Sequence, residues 1–170
     1  MPYLMILLCF LLGSCTGIPA DIKAVENFEL KRYLGQWYEI ARLDHSFERG
    51  LSQVSAHYKI NDDGSVAVTN RGFKADENRW DEAKGRALVV EDSTVGHLKV
   101  SFFGPFFGAY VIFELDHSHY QYAFVTSYNK EFLWFLARTP TVDEALIERF
   151  KAVISNYDFD QQDLIWVDQS

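Results

Sequence analysis

Eight short runs with strand character lie in succession between Gln36 and Arg138, each separated from the next by only a few residues. Connections that short allow consecutive antiparallel strands and leave no room for helical crossovers between them. The runs fall at about 36–44, 52–60, 65–74, 84–91, 96–103, 109–116, 119–126 and 131–138. In the second, Val54, Ala56, Tyr58 and Ile60 alternate with Ser55, His57 and Lys59; in the third, Val66, Val68 and Asn70 alternate with Ala67, Thr69 and Arg71. Period two puts each set on one face of a strand. Asn61-Asp62-Asp63-Gly64 supplies a turn between them, with Gly where a left-handed backbone is easiest. An open sheet of this kind would expose two edges, whereas closing it into a barrel removes both.

After Pro140 the period changes. Val142, Leu146, Arg149, Phe150 and Val153 recur at three- and four-residue spacing, with Ala145 and Ile154 widening the stripe, as in a helix packed by one face. Thr141 with Glu144 three residues on predicts a capping box, and Asp143 adds charge of the favourable sign to the first turn. Leu164-Ile165-Trp166-Val167 reads as one more short strand. The expected fold is therefore all-β, an eight-stranded up-and-down antiparallel barrel with one C-terminal helix packed outside and a short final strand.

The chain has 170 residues, enough for one domain with a sizeable core. Its aromatic content of 16 % needs a core or a pocket to cover the rings. A formal charge of -8, with no run of Lys and Arg to offset it, excludes nucleic acid as a natural partner.

Residues 3–12 are apolar but too short to cross a bilayer, which takes about 20 residues, so they read as the core of a signal peptide. The preceding segment carries no Lys or Arg, only its terminal amine. Leu12-Gly13-Ser14-Cys15 resembles the lipobox of bacterial lipoproteins. The resemblance implies a signal peptide over 1–14, a diacylglycerol thioether and an N-acyl chain on Cys15, and a short tether over 15–27 before a domain at 28–170. Thr16 after the cysteine resembles the choice that sorts such proteins to the outer membrane. An ordinary secreted protein cut elsewhere is the alternative. Cys9 would leave with the leader, so the mature domain has no disulfide and relies on packing.

Gly35 and Trp37 open the first strand and Arg138 closes the eighth. An indole there can floor the barrel, a glycine beneath it leaves the chain unobstructed, and a guanidinium over its face adds a cation–π attraction. Phe28–Leu34 is a plausible helical turn leading into that floor. At this point the sequence resembles the lipocalin family over essentially its whole length. The match runs through Asn27-Phe28, Lys31 to Arg42, Phe47-Glu48-Arg49-Gly50, Lys99 to Phe106 and Ala137-Arg138-Thr139-Pro140-Thr141. Gly35 and Trp37 look like the family's first signature and Arg138 like its third. Thr126-Ser127-Tyr128 departs from the second, Ser standing where an aspartate is usual.

The parity that turns Trp37 and Arg138 inward predicts Glu39 and Ala41 inward on the first strand. On the eighth it puts Phe132, Trp134 and Leu136 inward, with Leu133 and Phe135 outward toward the helix. Comparison with lipocalin strands extends the inward sets to Val66, to Glu114 and to a candidate ligand wall. That wall comprises Ala56, Tyr58, Val68, Asn70, Val100, Phe102, Tyr110, Ile112, Trp134 and Leu136. Each is equally at home in a filled barrel core. Phe102 to Gly108 clusters rings that can guard a rim or meet a membrane or partner.

Catalytic signatures are missing: no Gly-x-Ser-x-Gly elbow, no phosphate-cradling loop and no Cys-based metal cluster. Asp116-His117-Ser118-His119 reads as a hairpin turn with solvated histidines, and Glu39 with Glu114 is a candidate buried acid pair. The family resemblance implies a non-enzymatic binder or carrier of membrane lipids, a lysophospholipid or a fatty acid. It also implies an outer-membrane protein anchored by its lipid on the periplasmic side, with no cofactor beyond the covalent acyl groups and no metal. Monomer and homodimer stay open. A structural envelope lipoprotein with a filled barrel is the alternative function.

Overall fold

The eight strands form in order and close on themselves. In the computed structural model, which describes residues 16–170, they are β1 (Gly35–Leu43), β2 (Leu51–Ile60), β3 (Val66–Lys74), β4 (Arg79–Val89), β5 (His97–Ser101), β6 (Gly108–Leu115), β7 (Tyr122–Thr126) and β8 (Leu133–Ala137). Every neighbouring pair is antiparallel, and β1 pairs with both β8 and β2 to shut the barrel. A ninth strand, β9 (Leu164–Trp166), adds to the outer side of β1 at Ala41–Leu43. A one-turn helix, α1 (Leu30–Tyr33), lies across one end, and α2 (Glu144–Ser155) packs outside. The barrel with an external helix and a short last strand is the architecture expected. The signal peptide and Cys15 lie outside the described residues.

Two apolar clusters divide the molecule. One fills the inner end of the barrel around Trp37, Tyr33, Tyr58 and Ile112. The other lies between the barrel and α2, where Leu133 and Phe135 of β8 meet Phe150 and Ile154. Phe150 sits 4.8 Å from Phe135, stacked, and 4.9 Å from Phe124, edge-on.

Several expectations are corrected. Ala41 does not face the lumen. A bulge in β1 shifts its register against β8 between Glu39 and Ala41, so Ile40 and Ala41 both join the outer cluster and Arg42 turns inward instead. A second bulge, in β6 between Ile112 and Glu114, leaves Glu114 outside together with its neighbour Phe113 of the outer cluster, and Glu114 pairs there with Arg149 of α2. The Glu39–Glu114 acid pair therefore does not exist.

The helix is capped by Asp143, whose Oδ1 accepts from the Leu146 amide at 2.8 Å, and not by Thr141, whose carbonyl is held by the Thr139 hydroxyl. The fourth strand begins five residues early, at Arg79, because Arg79–Ala83 complete the ladder with β3. The seventh begins late because Asp116 gathers the amides of Ser118, His119 and Gln121 into a turn. The segment expected as a tether is packed down: Ile22 and Ala24 are buried, and the Val25 amide donates to the Ile112 carbonyl at 2.9 Å.

Candidate binding cavity

The closed end is built around Trp37, fully buried on β1. Its Nε1 donates to the Tyr33 carbonyl at 2.8 Å, and the Tyr33 ring lies 4.7 Å away, so α1 is pinned beneath the barrel. The Arg138 guanidinium covers the outer indole face, 3.9 Å from the ring centroid. Its Nε donates to Tyr120, Nη1 to Gln36 and Nη2 to Arg32, all backbone carbonyls at 2.7–3.1 Å. One cation thus ties β1, α1 and the turn before β7. Gly35 has φ of +96°, and a Cβ there would sit 3.5 Å from Arg138 Nη1. Gly35, Trp37 and Arg138 are brought together at the floor.

Above the floor the lumen is not filled. The space open to the centres of water-sized molecules is about 90 Å³, against roughly 10–15 Å³ for a single water. Of the predicted wall, Ala56, Tyr58, Val68 and Asn70 line it from β2 and β3, Val100, Phe102 and Tyr110 from β5 to β6, and Trp134 and Leu136 from β8. Val66 lines it too. Ile112 does not: it is fully buried in the inner cluster beside the docked Val25 segment.

Other wall residues escaped the sequence reading. Val54 continues the Ala56–Tyr58 face and Leu98 lies two residues before Val100, so period two reaches both, whereas Ala87 is the ladder partner of Val66 and Val100 and needs the register. Leu30 and Tyr33 come from α1, which the alternation of strands does not touch.

Polar groups gather at the two ends. At the inner end Tyr110 Oη lies 2.7 Å from Tyr33 Oη and 3.0 Å from Tyr58 Oη. Burial raises all three phenols above their ordinary pKa, Tyr58 to about 12. At the mouth, Glu39 and Glu48 are the carboxylates on the wall. Arg42, itself buried, donates from Nη1 to Glu39 Oε1 at 2.7 Å and from Nη2 to the Glu48 carbonyl at 2.9 Å. Trp134 Nε1 donates to Glu48 Oε2 at 3.2 Å. His45 Nε2 is 3.0 Å from the same oxygen but out of line for a hydrogen bond.

Burial, and then the charge of Glu48, raise Glu39 well above the usual carboxylate range despite Arg42. Burial would do the same to Glu48, but His45, Glu39 and Trp134 overcome it and hold that group low. The pair thus shares its charge unequally, one carboxyl favouring its proton and the other its anion.

Rings frame this end. Phe132 stacks on Trp134 at 5.6 Å and on Phe47 at 6.1 Å, and in the β5–β6 loop Phe103 and Phe106 are 74 % and 80 % exposed. The Thr126 hydroxyl, fully buried, holds the Phe132 carbonyl at 2.7 Å and secures the β7–β8 turn without the aspartate. Asn70 Oδ1 is buried on the wall with no hydrogen-bond partner. His117 and His119 are exposed on their turn. Among the described residues no group of three or more His, Cys, Asp or Glu is placed to hold a metal.

Comparison with known proteins follows the same lines. A family model described as a lipocalin-like domain matches residues 28–169. Outer membrane lipoprotein Blc of Vibrio cholerae is 53 % identical over 165 residues, covering 97 % of this chain and 96 % of that protein. Outer membrane lipoprotein Blc of Escherichia coli K12 is 43 % identical over 162 residues, covering 94 % and 91 %. Among solved structures, insecticyanin from the tobacco hornworm Manduca sexta superposes with a TM-score of 0.72 at 21 % identity, over 91 % of this chain and 87 % of that one. That last likeness concerns the fold alone.

Proposed function

The chain belongs to the lipocalin family and is an outer-membrane protein, and on that footing we propose that its barrel holds a single-chain amphiphile, a lysophospholipid or a fatty acid, to store or move membrane lipid. The observation that carries this reading is an unfilled lumen whose wall is mainly apolar, with polar groups clustered at its two ends and, besides those, Ser55 and Asn70. A filled barrel with a purely structural role has nothing comparable to support it.

The chain of such a ligand would lie against Val68, Val100 and Leu136, with its head at the mouth near Trp134 and Glu48. Each buried methylene contributes about 0.8 kcal/mol before ordering costs, so a long chain suffices for micromolar binding without a dedicated ionic clamp. Cys15 is the proposed attachment point of the anchor. The Thr16 carbonyl lies 2.8 Å from His97 Nε2 on β5, and a lipid anchor upstream of it would hold the barrel near the periplasmic face of the membrane.

Mass spectrometry of the full chain purified from its own envelope tests both halves. The amino-terminal peptide is expected to begin at Cys15 with its acyl groups, and the solvent extract to contain single-chain lipid in proportion to protein. An extract with no enriched single-chain lipid would contradict the carrier reading, and an unmodified Cys15 would contradict the anchor.

A further inference from the structure

The inner end of the cavity holds one more hydrogen-bond donor than it can use. Tyr33, Tyr58 and Tyr110 all line it, and their hydroxyls form a chain with Tyr110 in the middle. Three phenols bring three O–H donors, and two links consume two of them. Whichever way the links run, one proton is left over, on Tyr58, on Tyr33 or on Tyr110. A phenol titrates ordinarily near 10, so all three are protonated at neutral pH, and burial raises them further.

Among the described residues these hydroxyls make no other hydrogen bond, and the unpartnered Asn70 Oδ1 on the same wall makes none to them. Phe28 and Trp37 pack their rings on Tyr33, and each nitrogen of Arg138 is a donor already directed at a backbone carbonyl. A buried O–H without a partner is costly, so the site favours an incoming oxygen.

We propose that the tyrosine trio is a subsite for an oxygen atom carried within the acyl chain, so that the protein prefers hydroxylated or keto chains to plain ones. The proposal rests on the lumen reading above, in which the chain goes in first and the head stays at the mouth. A keto oxygen accepts the spare proton. A chain hydroxyl accepts it as well and returns its own proton to a tyrosine lone pair. A carboxylate fits less well, because Arg138 has no nitrogen turned toward the lumen to neutralise it.

The test uses the full chain stripped of lipid and five lysophosphatidylcholines with one head group. One carries a plain octadecanoyl chain, and the other four carry a hydroxyl or a keto oxygen at mid-chain or at the penultimate carbon. At least one oxygenated position is expected to bind about three- to tenfold more tightly than the plain chain. Tyr58→Phe or Tyr33→Phe leaves two linked phenols with one proton unshared, and Tyr110→Phe leaves two unlinked phenols, so each replacement alone should keep the ratio above one. The triple replacement, Tyr33→Phe with Tyr58→Phe and Tyr110→Phe, should bring it to one.

A wild-type ratio of one at every position overturns the proposal, since a resident water would then serve the spare proton equally well. So does a preference that survives the triple replacement. Should the triple variant fail to fold by circular dichroism, the wild-type ratio decides alone. If none of the five lipids binds, the lumen reading itself falls, a result distinct from equal binding.

Discussion

Tyr58 concentrates much of what the barrel interior does to a side chain. On β2 it alternates with exposed Lys59 and faces inward, as period two predicts, but its partners Tyr33 and Tyr110 come from α1 and β6. Its pKa stands at about 12 against an ordinary 10, chiefly through burial. A phenol raised in this way keeps its proton in the folded state while the unfolded chain loses its own. Its contribution is therefore complete below pH 10 and is lost as pH rises from 10 toward 12. Each such group lowers stability by about 1.4 kcal/mol per pH unit in that window, and Tyr33 and Tyr110 shift in the same direction. Denaturant melts across this range should show stability falling steeply, with Tyr58→Phe flattening the fall. A profile that stays level in the wild type would mean that these phenols are not buried as described. Trp37 and Arg138 were legible individually because an indole at the start of the first strand and a guanidinium at the end of the eighth bracket the set. The carbonyls that Arg138 ties together belong to Arg32, Gln36 and Tyr120, and nothing in their side chains announces it.

Strands were legible wherever period two ran unbroken, as in β2 after Ser55, β3 and β8. It failed where one residue is inserted into a ladder. Ile40 and Ala41 both face α2, so Arg42 turns inward to Glu39, and the β1 backbone is completed by the tail, where Val167 donates to the Ile40 carbonyl at 3.0 Å. The Gln169 amide likewise bridges the carbonyls of Glu39 and Val54. The bulge is thus set by long-range partners more than a hundred residues away in sequence, which a local pattern cannot register. Helix α2 was placed by its apolar stripe, while its first residue depended on which of two polar side chains reaches a backbone amide. Asp143 does so, and the two readings separate experimentally. Asp143→Ala should cost about 1 kcal/mol of unfolding free energy in denaturant melts, and Thr141→Ala well under half of that. The reverse order would restore Thr141 as the cap.

Across the whole molecule, closure and cavity come from the same alternation. The outward residues of β6 to β8 meet α2 and need no solvent, and the inward ones leave a lumen open toward Glu39, Glu48 and Trp134. The apolar wall could be read from the chain, but whether side chains meet across it could not, because that depends on barrel radius and tilt and not on residue type. The polar ends were harder still. Glu48 lies in the loop after β1 and reaches the wall only because Arg42 and Trp134 hold it there. The central claim, that an acyl chain occupies this lumen, is tested most directly by titrating the protein's tryptophan fluorescence with lysophospholipids of one head group and increasing chain length. Affinity should rise with each added methylene until the lumen is full, and Val100→Phe or Leu136→Phe should bring that plateau to shorter chains. Affinity independent of chain length, or a plateau unmoved by either replacement, would place the ligand outside the barrel.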